Sequence, residues 1–359
     1  MVQSDPLYYE MWVDREGIDL IRGFLIEDVY TLPLKWHART AGNEVRVQLE
    51  GTSDLNDMYV CEIPPAKQLE PQRHLYEETT YILTGQGSTT VWYEGQRKTS
   101  FEWQAGSLFA IPLNAWYQHF NVSGTEVVRY MAVTTAPVVM NLFHSDDFVF
   151  NNPATFPDRF DGGDDFFTSR FAMRETSFRE SGVDKFEVAF TNFVYDINAI
   201  PPQKSARAPG ARGRVFQLGR GKQQSAHSTL IPGRTFSNIH RHGPGSHVLW
   251  LSGEGYAVMW PDGGEKRKVP FQRGAVIVPP TWWWHQWAVT SEDPAQDLAF
   301  HLGGLDHSHR GTMVSQREGG LMVPLDDFPP DLLEELEALY KEECWTYDAR
   351  HSEERAGLG

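Results

Sequence analysis

The chain repeats itself. His74, Gly85, Gly87, Gly106 and Pro112 each recur 168 positions later, as His242, Gly253, Gly255, Gly274 and Pro280. Five landmarks at one constant offset mark an internal duplication, and this bounds the fold more tightly than any other feature. Each copy reads as an apolar run ending in Gly-x-Gly, a second run ending in a further glycine, and a third run entering proline. Glycine supplies a sharp backbone bend and proline ends a strand, so each copy is expected to be three short strands joined by tight turns. The chain is therefore read as all-β, built from two copies of one small barrel.

Composition agrees. Thirty-one glycines, 22 prolines and 13% aromatic residues suit short strands and turns better than long helices. A formal charge of −16, with no basic cluster, repels phosphate backbones and anionic lipid, which argues against nucleic acid or a membrane surface as partner. Cys61 and Cys344 form no CxxC pair, as expected in a reducing compartment. Met1–Asp5 carries no basic-then-apolar signal pattern, and no run of about 18 apolar residues could span a bilayer. These features point to a soluble, cytoplasmic protein. Asn121-Val122-Ser123 fits a glycosylation sequon only by chance in that setting.

The spacing from His74 through Glu78, Tyr81, Leu83, Gly85 and Gly87 to the later Gly106 and Pro112 resembles the paired motifs of the cupin superfamily. The resemblance covers roughly residues 45–140 and 210–305. It implies two tandem cupin barrels (the double-stranded β-helix or jelly-roll), that is, a bicupin with short flanking helices. The expected division is an N-terminal barrel over 1–140, a linker over 141–209, a C-terminal barrel over 210–305, and an extension over 306–359. Within that extension Asp331–Trp345 has the pattern of an amphipathic helix after the breaker Pro329-Pro330. Residues 203–214, small and basic with Pro-Gly, read as a loop.

In this family the metal ligands are an H-x-H pair, a Glu a few residues on, and a His five residues after the motif-two proline. Residues i and i+2 of a strand share a face, so H-x-H sets two imidazoles side by side inside a barrel. The resemblance assigns these positions to His240, His242 and His285, with Ser246 where the Glu would stand. His247, a neighbour on the strand, is a candidate fourth ligand. In the first copy the same offset gives Gln72, His74, Glu78 and Tyr117, with His119 two residues beyond. Gln and Tyr are poor ligands beside imidazole, so the first copy is expected to be degenerate and the second to hold the working site.

Three neutral imidazoles leave a divalent ion its full charge and several vacant positions, where a small chelating substrate and dioxygen could bind. The His240-Arg241-His242 segment and the missing motif Glu are similar to the gentisate and salicylate-type ring-cleaving dioxygenases. That resemblance implies an Fe(II) oxidoreductase acting on a small hydroxy or carboxy substrate, with O2. A lyase, isomerase or decarboxylase using Mn, Ni or Zn is the alternative, and a non-catalytic binding bicupin is a third. Assembly into a homo-oligomer is compatible with each. Trp250 and Trp284 are candidate pocket walls together with Ser246, the aromatic run Trp282–Trp284 lying directly before His285. His227 and His301 are candidate acid/base groups. Gly219–Lys222 and Asp306–His309 read as a turn and a solvated loop.

Overall fold

The computed structural model describes residues 5–168, 172–176, 186–220, 224–302, 316, 321–323, 327–332 and 334–335. Asp306–His309 lies outside these, as does most of the expected C-terminal helix, of which residues 331, 332, 334 and 335 are helical. Among the described residues the helices Tyr8–Arg15, Ala136–Phe143 and Asp146–Phe150, with helical residues near 331–335, flank a β architecture.

Each repeat forms a barrel from one large and one small sheet. In the first, the large sheet runs Leu20–Gly23, Gly42–Leu49, Asp57–Ile63, Val128–Thr134, Glu78–Thr84 and Leu108–Ile111, and the small sheet is Trp116–Asn121, Gln86–Trp92 and Thr99–Gln104. The second repeats the plan. Arg212–Leu218, Gln224–Ile231, Ala295–Leu302, His247–Ser252 and Val276–Ile277 form its large sheet. Its small sheet contains Arg267–Phe271, Gly255–Trp260, Trp284–Val289 and Ile239–His240.

The turn glycines explain themselves. Gly85 and Gly253 adopt φ of +85° and +78°, a region that L side chains avoid. At Gly87 and Gly255 the constraint is space: a Cβ would lie 2.2 Å from the Phe120 carbonyl oxygen and 1.9 Å from that of Ala288. The first glycine of each Gly-x-Gly therefore turns the chain and the second lets a neighbouring backbone approach.

Side chains alternate across the strands, so each large sheet has two apolar faces. One face fills its own barrel: Ile82 and Tyr130 in the first, packed with the small sheet's Trp103, and Val248 and Trp250 in the second, packed with the small sheet's Trp287. The other faces meet in a single shared core, where Val47, Met58, Val60 and Met131 pack with Phe216, Ala226, Leu249 and Phe300.

The barrels also exchange strands. Leu25–Ile26, from the N-terminal segment, pairs with Val276–Ile277 of the second barrel. Phe193–Val194 pairs with Leu108–Ile111 of the first. Each pairing is the other displaced by the repeat offset, so the exchange is reciprocal. The span 141–209, expected as a linker, thus carries strands belonging to both sheets: Phe186–Thr191 runs parallel to Arg212–Leu218. Its apolar residues have sheet edges to cover, which a sequence pattern does not reveal.

Candidate metal centre

His240 lies directly opposite His285 in an antiparallel pair, and His242 follows on the loop leaving that strand. Ring centroids are 4.2 Å apart for His240 and His285, 4.8 Å for His242 and His285, and 6.0 Å for His240 and His242. One ligand atom from each lies within 4.8 Å of the others, the one such cluster among the described residues. The rings are oriented by backbone. Nδ1–H of His240 donates to the Asn238 carbonyl (3.2 Å), that of His242 to Gly243 (2.8 Å), and that of His285 to Trp283 (3.1 Å). That tautomer leaves each Nε2 lone pair free, and Nε2 of His240 and of His285 is buried without a partner.

Burial, then the neighbouring imidazoles and the Arg207 charge, hold His240 and His285 well below the usual histidine range. His242 is lowered to about 4, burial again dominating. All three are neutral near pH 7. Orphaned, converging, unprotonated nitrogens are what a divalent metal requires, so the trio fits one.

The sequence did not single out two charged groups here. Arg207, almost fully buried, precedes the first large strand of the second barrel, and its carbonyl accepts from the Asn238 N–H at 2.7 Å. Its charge acts on all three imidazoles and on Asp297. Asp297 is also buried, accepts from the Thr229 N–H at 2.7 Å, and is pushed by desolvation up to about 6 although Arg207 opposes this. Arg207 sits in a stretch whose small residues and Pro-Gly read as an ordinary loop, and no periodicity marked either residue.

His227 and His301, on adjacent strands, stack at 4.9 Å with His301 Nε2 2.8 Å from His227 Nδ1. Alternation puts them on the interior face with Ser246 and Val248. The first barrel supports this placement: Tyr59 hydrogen-bonds Glu78, and 168 residues on these positions are His227 and Ser246. The pair therefore stands beside the site of the missing carboxylate.

Two expectations change. His247 is not with the trio: alternation turns it toward the other barrel, where Asn56 Nδ2 donates to its Nδ1 at 3.3 Å. Trp284, next to His285 on the strand, also faces outward, its indole donating to Asp262 at 2.7 Å while Arg241 covers its ring at 4.3 Å. Trp250 is interior but lies flat on Phe271 at 3.6 Å as core packing. Trp287, two residues after His285, is the indole beside the trio, at 5.9 Å.

In the first barrel the corresponding groups satisfy one another. Gln72 and Tyr117 form the bridge equivalent to His240 and His285. The Tyr117 hydroxyl lies 3.2 Å from His74 Nε2 and 3.4 Å from Glu78, and His74 lies 3.3 Å from Glu78. Burial would raise Glu78, but His74 outweighs it and holds the carboxyl below its usual value. The Thr89 hydroxyl accepts from the Trp103 indole at 2.8 Å and meets His119 Nδ1 at 2.7 Å, while His119 Nε2 is buried without a partner.

No family model and no curated sequence matches this chain. Solved structures do. Oxalate decarboxylase of Lactobacillus farciminis, in complex with formate, is similar at 12% identity with a TM-score of 0.53, over 87% of this chain and 92% of that one. A point mutant of Bacillus subtilis oxalate decarboxylase matches at 13% identity and TM-score 0.54, over 91% and 88%. A third structure, from a study of the Mn(II) centres of the same Bacillus enzyme, matches at 13% and 0.53. The fold is a bicupin. At this identity the likeness establishes the two-barrel bicupin architecture. No helix among the described residues is long and apolar enough to cross a membrane.

Proposed function

We propose that this bicupin is a metal-dependent enzyme of the lyase class, a decarboxylase of a small chelating carboxylate, with Mn(II) on His240, His242 and His285. The observation that carries the reading is the charge of the site. Three neutral imidazoles with no ligand carboxylate leave a bound divalent ion its full charge, and the buried Arg207 charge, offset in part by Asp297, acts on all three rings, so the site favours an anionic ligand. The comparison with decarboxylases, one of them described by its Mn(II) centres, favours Mn over the Fe(II) expected from sequence.

The metal, when bound, supplies Lewis acidity to a chelated carboxylate. The remaining work falls to the chain. Arg207 pairs with the substrate carboxylate and orients it. Val248, Trp287 and Ala299 keep the interior dry, which strengthens that pairing. Cleavage of the C–C bond releases CO2 and leaves a carbon that takes up a proton. The His227–His301 pair and Asp297 are the groups on this wall that hold one.

The same nitrogen-only ligand set also suits an iron dioxygenase, and gas exchange separates the two. Protein loaded with Mn(II) is assayed against small mono- and dicarboxylates and hydroxybenzoates, following CO2 and O2. CO2 release without stoichiometric oxygen uptake supports the lyase. Oxygen uptake matching substrate loss, with Fe(II) and not Mn(II), overturns it.

A further inference from the structure

The His242 loop is held in part from the other barrel. After the strand ends at His240, residues 241–246 form no strand, and Gly245 adopts φ +88°. Within its own half the loop is held by the Trp282 N–H, which donates to the His242 carbonyl at 3.0 Å, by the Arg241 N–H, which donates to the Leu321 carbonyl at 3.2 Å, and by the Arg241–Asp262 pair. The next anchors come from first-barrel residues 51–56. The Gly245 N–H donates to the Gly51 carbonyl at 3.1 Å, and Asn56 Nδ2 donates to the Gly245 carbonyl at 2.8 Å. Asn56 is fully buried.

The same first-barrel turn lies on the segment that leads to His285. A Cβ on Gly51 would stand 2.3 Å from the Val278 carbonyl oxygen and 2.6 Å from that of Pro279, so only glycine allows this approach. Ser53 and Thr281 hydroxyls meet at 2.7 Å. One turn of the first barrel thus touches both the loop that carries His242 and the segment 278–281 that precedes the His285 strand. The arrangement has a counterpart displaced by the repeat: Gln224 of the second barrel donates to Glu77 of the first at 3.1 Å, where the first pair is Asn56 and Gly245.

We propose that Gly51–Asn56 is a brace for the metal centre, with Asn56 a positioning residue that keeps His242 and His285 convergent. This rests on the reading of the trio as a metal site, and it gives the metal-poor first barrel a role. His240 and His285 are fixed by strand pairing, but His242 sits on a loop, and ordering a free loop costs conformational entropy at the moment of binding. A brace already in place removes part of that cost. Because equivalent contacts exist at both sites, but ligands at only one, the two halves of the contact should differ in consequence.

The test uses Mn(II) alone as probe on the full-length protein, with affinity and the Mn(II) electron paramagnetic resonance line shape as readouts. Asn56→Ala is expected to weaken Mn(II) binding about 10- to 100-fold, the range typical for groups that orient metal ligands, and to broaden the spectrum. Gln224→Ala removes the matched contact and is expected to leave the affinity within about twofold. Where Asn56→Ala does not fold, Asn56→Leu removes the donor while nearly keeping the volume. Unchanged affinity in the Asn56 variants, or equal weakening by Gln224→Ala, overturns the brace while leaving the metal site standing. Wild-type protein that binds no Mn(II) overturns both.

Discussion

At the scale of single residues, the two halves differ in whether their polar groups need a guest. His240 and His285 each leave a buried nitrogen unpartnered, whereas His74, Glu78 and Tyr117 complete one another. An unpaired buried acceptor is costly, so the second site, where two converge, gains from a cation; in the first, His119 Nε2 is also unpartnered but stands alone. His242→Ala should therefore abolish tight metal binding, whereas His74→Ala should leave one metal per chain, as read by elemental analysis; the opposite pattern would reverse the assignment of the sites. Burial also sets a pH dependence. His119 is lowered to about 4 and His247 to about 3, both mainly by desolvation. Between the ordinary histidine value near 6.5 and these folded values, the unfolded chain binds more protons, so stability is lost as pH falls. Asp297, raised to about 6, acts in the other direction, favouring the folded state more at pH 4 than at pH 6. In the metal-free protein the lowered histidines, with His240, His242 and His285 among them, outnumber the raised groups His37, Glu77 and Asp297, so the unfolding free energy should fall from pH 6.5 to pH 4 by on the order of a few kcal/mol, read as a falling urea midpoint. A midpoint that rises over that range would contradict the burial of these imidazoles.

At the scale of elements, the strands and turns are where the sequence was most legible. Gly85, Gly87, Gly106 and their partners are local requirements of a tight turn or a close backbone, so they recur wherever the turn recurs. Gly255→Ala should destabilise by about 1–3 kcal/mol, the usual cost of overpacking, since its Cβ meets a carbonyl that cannot move freely. Gly124→Ala, with open space around it, should change thermal stability little. Equal effects would show that Gly255 is kept for some reason other than space. The tryptophans were less legible. Alternation is reliable along a strand, and it correctly separates Trp284 from His285. With His285 inward, alternation already rules Trp284 out as a pocket wall, against the expectation drawn from the aromatic run; Trp284 faces outward to Arg241 and Trp287 stands beside the trio.

At the scale of the molecule, the shared core and the exchanged strands make the barrels one unit. Ile26 lies in the N-terminal segment yet pairs with Val276 of the second barrel and packs in the core common to both. Ile26→Asp buries a charge there and should cost about 3 kcal/mol or more. Calorimetry should still show a single transition, and metal release should accompany it although the substitution is far from the ligands in sequence. Two separate transitions, the second unshifted, would show the barrels to be independent.

The duplication, the two-barrel fold and the candidate trio were visible in the sequence because each depends on spacing along one strand or turn. His240 ends a strand and His242 follows two residues on in the loop, and His285 follows its proline at a distance set by one hairpin. The rest was decided by neighbours far apart in the chain. Arg207 became part of the site through the approach of a loop to Asn238, His227 met His301 through the pairing of strands more than 70 residues apart, and Asn56 reached Gly245 from the other barrel. Local geometry is written in residue order, whereas charge and hydrogen bonding across a core depend on which surfaces the folded chain brings together.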